Sequence, residues 1–443
     1  MNPIRFGTIA ALFLAAHLPG AAVRQPNFIL IMADDLGYEC VTANGGESYQ
    51  TPHLDRLAAT GMRFEHCHVQ PVCTPTRVQL MTGLYNIRNY ANFGILDPKA
   101  TTFAHLLKQA GYATGICGKW QLGRTKGLPK HFGFDDALLW QHTRRVSRYA
   151  NPGLERNDVE LDYNQGEYAP KLINDFALEF VTKNRDRPFF LYYPMILTHE
   201  PYQATPDSAD WNGKQKSGDR YFADMVAYMD KMVGRLVAKL DELGLRENTL
   251  VIFLADNGTG ISLTSQFKGK TYPGGKTSQT ARGTHVPLIA NWKGTVAAGS
   301  VNANLISSTD FLPTLCELAG APVNPPVDGQ SFAAQLRGER GQPREWLYSW
   351  YKLRSNPGPD WEYAMTATHK LYRDGRFFDL SADPYEEKTP LARDTLSGTA
   401  AAAAKSLQAA LEQFTNARPA HLMRSDRPAP DRPAAGVKKT GKR

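Results

Sequence analysis

The sequence lacks the cysteine content of a disulfide-built scaffold. Only five cysteines occur in 443 residues, and a chain of this length buries enough apolar surface to form a core without cross-links. In an oxidising compartment an odd number leaves at least one thiol unpaired. Cys73 is the candidate, because it lies in V-C-T-P-T-R-V-Q-L-M-T-G (72–83), where we expect a turn just ahead of a helix.

Long apolar runs are also missing. The run at 9–18 is too short to cross a bilayer, which takes about 20 apolar residues, and no second long run follows it. Arg5 precedes this run and small residues at 20–22 follow it, as in a secretory signal peptide. We therefore predict a signal peptide over 1–22, a secreted or periplasmic protein, and no membrane insertion once the signal is removed.

The chain also lacks an overall basic character, although its net charge is +8. Residues 418–443 carry eight Lys and Arg against two Asp, which leaves the body close to neutral. This distribution argues against a nucleic-acid partner. The segment is rich in Pro and Ala and has no aromatic residue, so we predict a basic, disordered tail.

What is present is an alternation of apolar runs and amphipathic stretches, which predicts an α/β fold with a mostly parallel sheet covered by helices. Four apolar runs end directly before polar residues, and they lie at 27–33, 112–117, 188–197 and 249–255. In open α/β sheets, ligands bind at the carboxyl ends of the strands. These polar residues are therefore the first candidates for a functional site.

The pattern changes near residue 341 to short aromatic segments, one of which predicts a hairpin around Asp374-Gly375. An Ala-rich helix is expected at about 398–414. We predict a catalytic domain over 23–340 and a small α+β domain over 341–417.

Carboxylates after two of the apolar runs are candidate metal ligands. Asp34 and Asp35 follow the first run, and Asp256 and Asn257 follow the last. Like charges this close repel unless a cation neutralises them, and hard divalent cations prefer oxygen. Polar turns after strands are common, but two such pairs favour a Ca²⁺ or Mg²⁺ site.

Basic residues elsewhere could bind a tetrahedral oxyanion beside that metal. The candidates are Arg77, Lys119 and Lys276. Lys119 is the most informative of them, because it stands between a buried strand and Trp120. His199 follows the run at 188–197 and is a candidate general acid.

The spacing Cys73-x-Pro75-x-Arg77, followed by Thr82-Gly83, resembles the maturation signature of the formylglycine-dependent sulfatases, which are arylsulfatase-like members of the alkaline phosphatase superfamily. Other segments agree with that family in order, among them 51–64, G-K-W-Q-L-G (118–123), T-H-x-P (198–201), A-D-N-G (255–258) and D-L-S-A-D-P-Y-E (379–386). The resemblance covers about residues 26–392. It implies an alkaline-phosphatase-like fold, with a large mixed sheet sandwiched by helices and a smaller C-terminal α+β domain.

In that family a formylglycine-generating maturation enzyme oxidises the cysteine to Cα-formylglycine, which explains a linear recognition tag around Cys73. One hydroxyl of the hydrated aldehyde attacks sulfur, and the other then expels sulfate from the sulfated hemiacetal. The resemblance implies that one metal, usually calcium, is held by the side chains at 34, 35, 73, 256 and 257. It also implies that Arg77 steadies the formylglycine.

By the same resemblance, Lys119 and Lys276 hold sulfate oxygens and His199 protonates the leaving oxygen. We therefore predict hydrolysis of sulfate esters. Sulfated carbohydrates are the favoured substrates, and aryl sulfates and sulfated small molecules stay open.

Two segments depart from the family pattern. Many relatives carry a histidine where this chain has Gln121, and an amide cannot accept a proton at neutral pH, so the base for the second step is open. Residues 281–285 read A-R-G-T-H where relatives usually show Glu-Gly-Gly. This second departure concerns loop contacts more than chemistry.

Two other functions stay open. The same fold hosts phosphodiesterases and phosphonate hydrolases, although a two-metal site would need extra His or Asp ligands that we do not find in the sequence. A non-catalytic binder of sulfated glycans would leave Cys73 unconverted. An intact-mass measurement separates that case, because conversion replaces one sulfur and two hydrogens by one oxygen.

Overall fold

The computed structural model describes residues 24–352 and 360–423. The predicted signal peptide lies outside the described residues, as does most of the predicted tail. None of the helices described here has the length and apolar content needed to cross a membrane.

The first residues of the predicted tail differ from the expected disorder. The Arg418 guanidinium lies 4.5 Å from the centre of the Trp350 ring and donates to the carbonyl groups of Ile87 and Tyr90. Residues Ala420–Met423 form a helix. The segment at 418–423 is therefore packed against the body, because this arginine finds an aromatic face and carbonyl acceptors there.

The structure contains a ten-stranded, a four-stranded and a two-stranded sheet. The strands are β1 (Asn27–Ala33), β2 (Met62–His68), β3 (Ala113–Lys119), β4 (Asp136–Trp140), β5 (Gly153–Arg156), β6 (Val159–Asp162), β7 (Phe189–Pro194), β8 (Thr249–Ala255), β9 (Thr264–Phe267), β10 (Lys270–Pro273), β11 (Leu288–Asn291), β12 (Ser300–Ser307), β13 (Leu347–Tyr351), β14 (Trp361–Met365), β15 (His369–Tyr372) and β16 (Phe377–Asp379).

Helices connect and cover these strands. The α-helices are α1 (Pro52–Ala59), α2 (Cys73–Thr82), α3 (Asn86–Asn89), α4 (Phe103–Gln109), α5 (Leu128–His131), α6 (Ala169–Lys183), α7 (Phe222–Glu242), α8 (Ala281–Thr284), α9 (Phe311–Ala319), α10 (Ala333–Leu336), α11 (Gly398–Glu412) and α12 (Ala420–Met423). Short 3₁₀ helices lie at Tyr38–Cys40, Thr42–Asn44, Asp219–Tyr221, Arg246–Asn248, Ser308–Asp310 and Arg393–Thr395.

The large sheet has the order β12-β2-β11-β8-β1-β7-β3-β4-β5-β6. Its five central strands, β8, β1, β7, β3 and β4, are parallel to one another, whereas β11 and β5 run antiparallel to the strands beside them. The predicted large mixed sheet is confirmed. The four predicted apolar runs are β1, β3, β7 and β8, which are adjacent in the sheet.

Burial on both faces explains the composition of these strands. Every residue of β1 (N-F-I-L-I-M-A) and of β8 (T-L-V-I-F-L-A) is buried, as expected for parallel strands covered by helices. Helices α1, α6 and α7 pack together, and α2, α4 and α9 form a second group. With both faces covered, polar side chains can meet only at the ends of the strands.

The predicted C-terminal α+β unit is confirmed as a four-stranded antiparallel sheet, β13-β14-β15-β16, with α11 packed against β14 and β15. The predicted hairpin joins β15 to β16, and Gly375 adopts a φ of 95° in its turn. Tyr348 and Phe414 of this unit share an apolar cluster with Val72 and Tyr85. The unit therefore packs next to the segment that carries Cys73.

Candidate active site

The register of the central strands brings two acidic segments together. Ala33 pairs with Ala255 across β1 and β8, so Asp34 and Asp256 leave neighbouring strands side by side. Asp35 follows with a left-handed φ of 62°, and its N–H donates to Asp256 Oδ1 over 3.1 Å. All three carboxylates are at most 1% exposed. Three negative charges therefore converge at the carboxyl edge of the sheet.

The amide of Asn257 completes this oxygen cluster. Its Nδ2 donates to Asp35 Oδ1 over 2.8 Å and to the carbonyl of Gly258 over 2.9 Å. Its Oδ1 is buried and has no hydrogen-bond partner among the described residues. A buried acceptor left without a donor is costly, and a cation would satisfy it.

The pKa of Asp256 agrees with a cation-binding site among the carboxylates. Burial, together with the nearby charge of Asp34, raises the pKa of Asp256 to about 7, although the charges of Arg77 and Lys119 oppose the shift. A divalent ion would remove this repulsion. The donor set of carboxylate and amide oxygens therefore fits a hard divalent cation.

The carboxylates are surrounded by four Lys and Arg side chains, namely Lys119, Lys276, Arg77 and Arg148. Lys119 Nζ lies 2.8 Å from both carboxylate oxygens of Asp34, and Lys276 Nζ donates to Asp35 Oδ2 over 2.6 Å. Although burial alone would raise the pKa of Asp34, the charges of Lys119, His199, Arg148 and Arg77 hold it well below its usual value.

Arg77 reaches the cluster from α2. Its Nη2 donates to Asp256 Oδ2 over 2.9 Å, and its Nη1 donates to the carbonyl of Lys119 over 3.1 Å. The side chain is 1% exposed, and its Nε has no partner among the described residues. This arginine links the helix that carries Cys73 to the strand ends that carry Asp256 and Lys119.

Gly118 explains how Lys119 reaches this position. It adopts a φ of 121°, and a Cβ there would lie 1.9 Å from the carbonyl oxygen of Pro194 on the adjacent strand. Only glycine fits such a close approach of β3 to β7. The glycine thus lets β3 continue to Lys119 beside Asp34.

Cys73 is the first residue of α2, preceded by an extended Val72, so it lies inside the helix rather than in a turn before it. The side chain is buried, and its Sγ–H donates to Gln121 Oε1 over 3.0 Å. Burial raises the pKa of the Cys73 thiol, and the charge of Lys119 opposes that shift. The unmodified thiol is therefore held neutral at the N-terminus of a helix.

His199 lies at the rim of the cluster. Its Nδ1 is 2.6 Å from the carbonyl oxygen of Glu200, so Nδ1 carries the proton in the neutral ring and Nε2 is left for another group. Nε2 lies 3.7 Å from Asp35 Oδ2. Burial lowers the pKa of His199 to about 4, against the pull of Asp34 and Asp35. An anion bound next to Nε2 would raise this pKa.

The structure brings the predicted site residues to one edge of the sheet: Asp34, Asp35, Cys73, Arg77, Lys119, Gln121, His199, Asp256, Asn257 and Lys276. The sequence reasoning missed Arg148, whose Nη1 donates to Asp34 Oδ2 over 3.2 Å. Arg148 belongs to Q-H-T-R-R-V-S-R (141–148), and no spacing separates it there from Arg144 or Arg145.

The backbone at 281–285 packs against the residue after Asn257, since the N–H of Gly258 donates to the carbonyl of Gly283 over 3.0 Å. Residues Ala281–Thr284 form the short helix α8. Arg282 pairs with Glu387, and its guanidinium lies 4.7 Å from the centre of the Tyr385 ring. This segment therefore contacts the chain beyond β16, consistent with a change in loop contacts.

A mixed sheet with clustered carboxylates and cations at its carboxyl edge defines a hydrolase of the alkaline-phosphatase-like class. The family model described as Sulfatase matches residues 26–321, and a second, described as N-sulphoglucosamine sulphohydrolase, C-terminal, matches residues 279–415. The chain belongs to the sulfatase family. It is a sulfuric ester hydrolase.

Individual relatives agree with this assignment. Arylsulfatase A of Homo sapiens is 34% identical over 387 residues, covering 77% of this chain and 74% of the relative. The crystal structure of Ps i-CgsB in complex with k-i-k-neocarrahexaose is 28% identical with a TM-score of 0.75, covering 89% of this chain and 94% of that chain.

Phosphonate monoester hydrolase of Agrobacterium radiobacter has a TM-score of 0.66 at 20% identity, covering 88% of this chain and 95% of that chain. This likeness shows the fold alone. The sequence relatives, and not the fold, decide in favour of sulfate esters over phosphonates.

Proposed function

We propose that the chain hydrolyses sulfate esters of carbohydrates with a formylglycine nucleophile made from Cys73 and one divalent cation. The observation that carries this proposal is the position of Cys73, which is buried at the N-terminus of α2 beside Asp34, Asp256, Lys119 and Lys276. A thiol is a poor partner for a hard cation in an oxygen-ligand site. Conversion to a hydrated aldehyde would place hydroxyl oxygens there instead.

The cation would be held by Asp34, Asp35, Asp256 and Asn257, whose Oδ1 has no other partner among the described residues. Several carboxylates and an amide oxygen favour calcium, with magnesium as the alternative. When bound, the ion lowers the pKa of an oxygen nucleophile and offsets negative charge on the substrate.

The chain's own groups then bind and orient the ester. Lys119 and Lys276 would hold oxygens of the sulfate group, a role supported by the reach of both ammonium groups to the carboxylates that border position 73. Arg77 fixes Asp256 relative to α2. The charges of these three side chains offset negative charge as the ester bond to sulfur breaks.

His199 supplies the proton that the leaving oxygen needs. The approach of an anionic sulfate group raises the pKa of the imidazole, so Nε2 carries a proton in the substrate complex. It donates that proton to the alcohol oxygen as the sulfur–oxygen bond breaks. Overall, the ester and one water give the alcohol, sulfate and one proton.

Gln121 orients the group at position 73. Its Oε1 already accepts the Cys73 hydrogen over 3.0 Å, and it would accept one from a hydroxyl at the same place. An amide cannot take up a proton at neutral pH. The release of sulfate therefore needs another proton acceptor, such as water.

Two of the comparisons support a carbohydrate as substrate. The Ps i-CgsB structure is a complex with k-i-k-neocarrahexaose, and the second family model is described as N-sulphoglucosamine sulphohydrolase, C-terminal. An exported protein, as the signal-like residues at 1–22 predict, would meet sulfated glycans outside the cytoplasm. A formylglycine-generating enzyme in the host would act on the chain before it folds.

The test compares protein made with and without a co-expressed formylglycine-generating enzyme. Peptide mass mapping should show conversion of Cys73 only in the first preparation, and only that preparation should release sulfate from sulfated mono- and oligosaccharides. Cys73→Ala should fold and stay inactive in both, and Cys73→Ser controls for a hydroxyl without the aldehyde. Full activity of Cys73→Ala would refute the mechanism. Turnover of aryl sulfates alone would refute the carbohydrate assignment.

A further inference from the structure

The guanidinium of Arg148 is held against Asp34 at the edge of the site. It lies 4.1 Å from the centre of the Trp140 ring, at the end of β4. Its Nη1 donates to Asp34 Oδ2 over 3.2 Å and to the carbonyl of Ile196 over 3.4 Å. The side chain is 9% exposed. A stacked, hydrogen-bonded guanidinium has little freedom left.

The backbone on both sides of Arg148 is fixed as well. Trp140 Nε1 donates to the carbonyl groups of Val146 and Ser147 over 3.3 and 3.1 Å. The single hydroxyl hydrogen of Tyr149 lies within hydrogen-bonding distance of two carbonyl oxygens, that of Ile196 at 2.9 Å and that of His199. The loop thus presents Arg148 in one orientation, between the end of β4 and the segment that carries His199.

Part of this guanidinium remains available to a ligand. An arginine side chain has five N–H donors. Two hydrogen bonds leave Nη1, to Asp34 and to the carbonyl of Ile196, and the Tyr149 hydroxyl accepts a third from the guanidinium. The remaining N–H donors can serve another acceptor.

Charge also argues for a ligand at this place. Lys119 Nζ and Arg148 Nη1 lie 2.8 and 3.2 Å from the same oxygen, Asp34 Oδ2, and one carboxylate cannot neutralise two cations. Arg77 and Lys276 already pair with Asp256 and Asp35. A divalent cation in the oxygen cluster would add to the surplus of positive charge. An anion next to Lys119 and Arg148 would remove it.

We propose that Arg148 is a substrate-binding residue, whose guanidinium donates to an oxygen of the sulfate group beside Lys119. The inference rests on the proposed function and adds a fourth cation to the three that the sequence predicted. Arg148 acts on both the ester and the released sulfate, since both present the same tetrahedral oxyanion. A planar fork of donors suits that acceptor better than a second ammonium group would.

The test measures binding of inorganic sulfate to calcium-loaded, matured protein by calorimetry, with KM and kcat on an aryl sulfate beside it. Arg148→Met keeps an apolar stem against Trp140 and removes the charge. It should weaken sulfate binding about 10- to 100-fold, as expected for a lost hydrogen bond to a charged group, and raise KM in parallel. Arg148→Lys should fall between this variant and wild type.

The matched control is Arg145→Met, which changes an exposed arginine of the same loop and should bind sulfate like wild type. Calcium affinity provides a second readout, and it should be unchanged or higher in Arg148→Met, because a cation next to Asp34 is removed. If Arg148→Met does not fold, Arg148→Lys carries the test through its weaker sulfate binding.

Wild-type sulfate affinity in Arg148→Met, or in Arg148→Lys where only that variant folds, would overturn the inference and leave Arg148 as a partner of Asp34 alone. That result is distinct from failure of the proposed function. In the latter case the wild-type protein itself would neither bind sulfate nor hydrolyse any sulfate ester.

Discussion

Two buried clusters of charged side chains in this molecule differ in whether their charges and polar atoms are paired. One joins the large sheet to the C-terminal unit, where Arg344 and Asp310 have side chains only 4% and 2% exposed. Asp310 accepts from the N–H groups of Ser307 and Gln330 over 2.8 Å each. Arg344 Nε donates to Asp310 over 3.1 Å, and its Nη1 donates to Tyr85. One charge balances the other, and the polar atoms are paired.

The other cluster, at the carboxyl edge of the large sheet, is neither balanced nor fully paired. Three carboxylates meet four cations, and Asn257 Oδ1 and Arg77 Nε lack partners among the described residues. Buried polar atoms are nearly always satisfied in folded proteins. A paired cluster stabilises a joint, whereas an incomplete one is prepared for ligands that the chain does not supply.

The largest expected effect comes from removing the cation from the incomplete cluster. Exhaustive chelation should abolish turnover, and calcium should restore it. Calcium at 100 times its Kd should also stabilise the wild-type protein by about 2.7 kcal/mol, measured as a rise in Tm. Asp256→Asn should lose both activity and this calcium-dependent rise.

The control for this variant is Asp207→Asn, which changes an exposed partner of Lys231 and should respond to calcium like wild type. Turnover that survives chelation would mean that the acidic cluster is only a pair of polar turns.

A smaller effect should follow from removing the proton donor. His199→Ala should lower kcat on sugar sulfates by about 10²–10⁴-fold, because a sugar oxygen leaves poorly without a proton. Activated aryl sulfates should lose much less, since their leaving oxygen needs no proton. The measurement is the ratio of the two losses in one variant. Equal losses on both substrates would remove His199 from this role.

Gln121 offers a finer test within the same cluster. If release of sulfate is slow because the amide cannot take a proton, the wild-type enzyme should show a pre-steady-state burst of the aryl leaving group. Gln121→His should then raise kcat and abolish the burst, while Gln121→Ala should lower kcat and affect the first step less. Absence of a burst in the wild type would show that sulfate release does not limit turnover.

The apolar runs predicted where the site lies, because the residue that follows a buried strand of a parallel sheet lies at the carboxyl edge of that sheet. Asp34 and Asp256 follow from β1 and β8, and Lys119 from β3, for this reason. The joint between Arg344 and Asp310 could not be predicted in this way. Its partners come from segments far apart in the chain, and each is an ordinary polar residue in its own segment.

Arg148 shows the same limit at the functional edge. Its place depends on the Trp140 ring, on two carbonyl groups that accept from Trp140 Nε1 and on the Tyr149 hydroxyl. None of these contacts is periodic in sequence. Cys73 lies inside α2 and not in the predicted turn for a local reason, since the extended Val72 already serves as the N-cap of α2. Residues that closely follow a regular strand were therefore predictable, Lys276 was found only through the family's spacing, and Arg148 had neither signal.

Substitutions in the balanced cluster of Arg344 and Asp310 should have the smallest effect on turnover. They should lower the stability of the protein instead. Arg344→Met leaves Asp310 as an uncompensated buried charge, which costs about 3–5 kcal/mol of unfolding free energy. Sulfate ester turnover by the folded fraction should stay within about twofold of wild type, because no group of this pair contacts the carboxylate edge. Chemical denaturation at constant calcium measures the unfolding free energy, and kcat per folded molecule measures the turnover.

In the double variant Arg344→Met, Asp310→Asn, the loss of unfolding free energy should be smaller than the sum of the two single losses, since the uncompensated charge is gone. A large fall in kcat with unchanged stability would contradict the distinction between the two clusters.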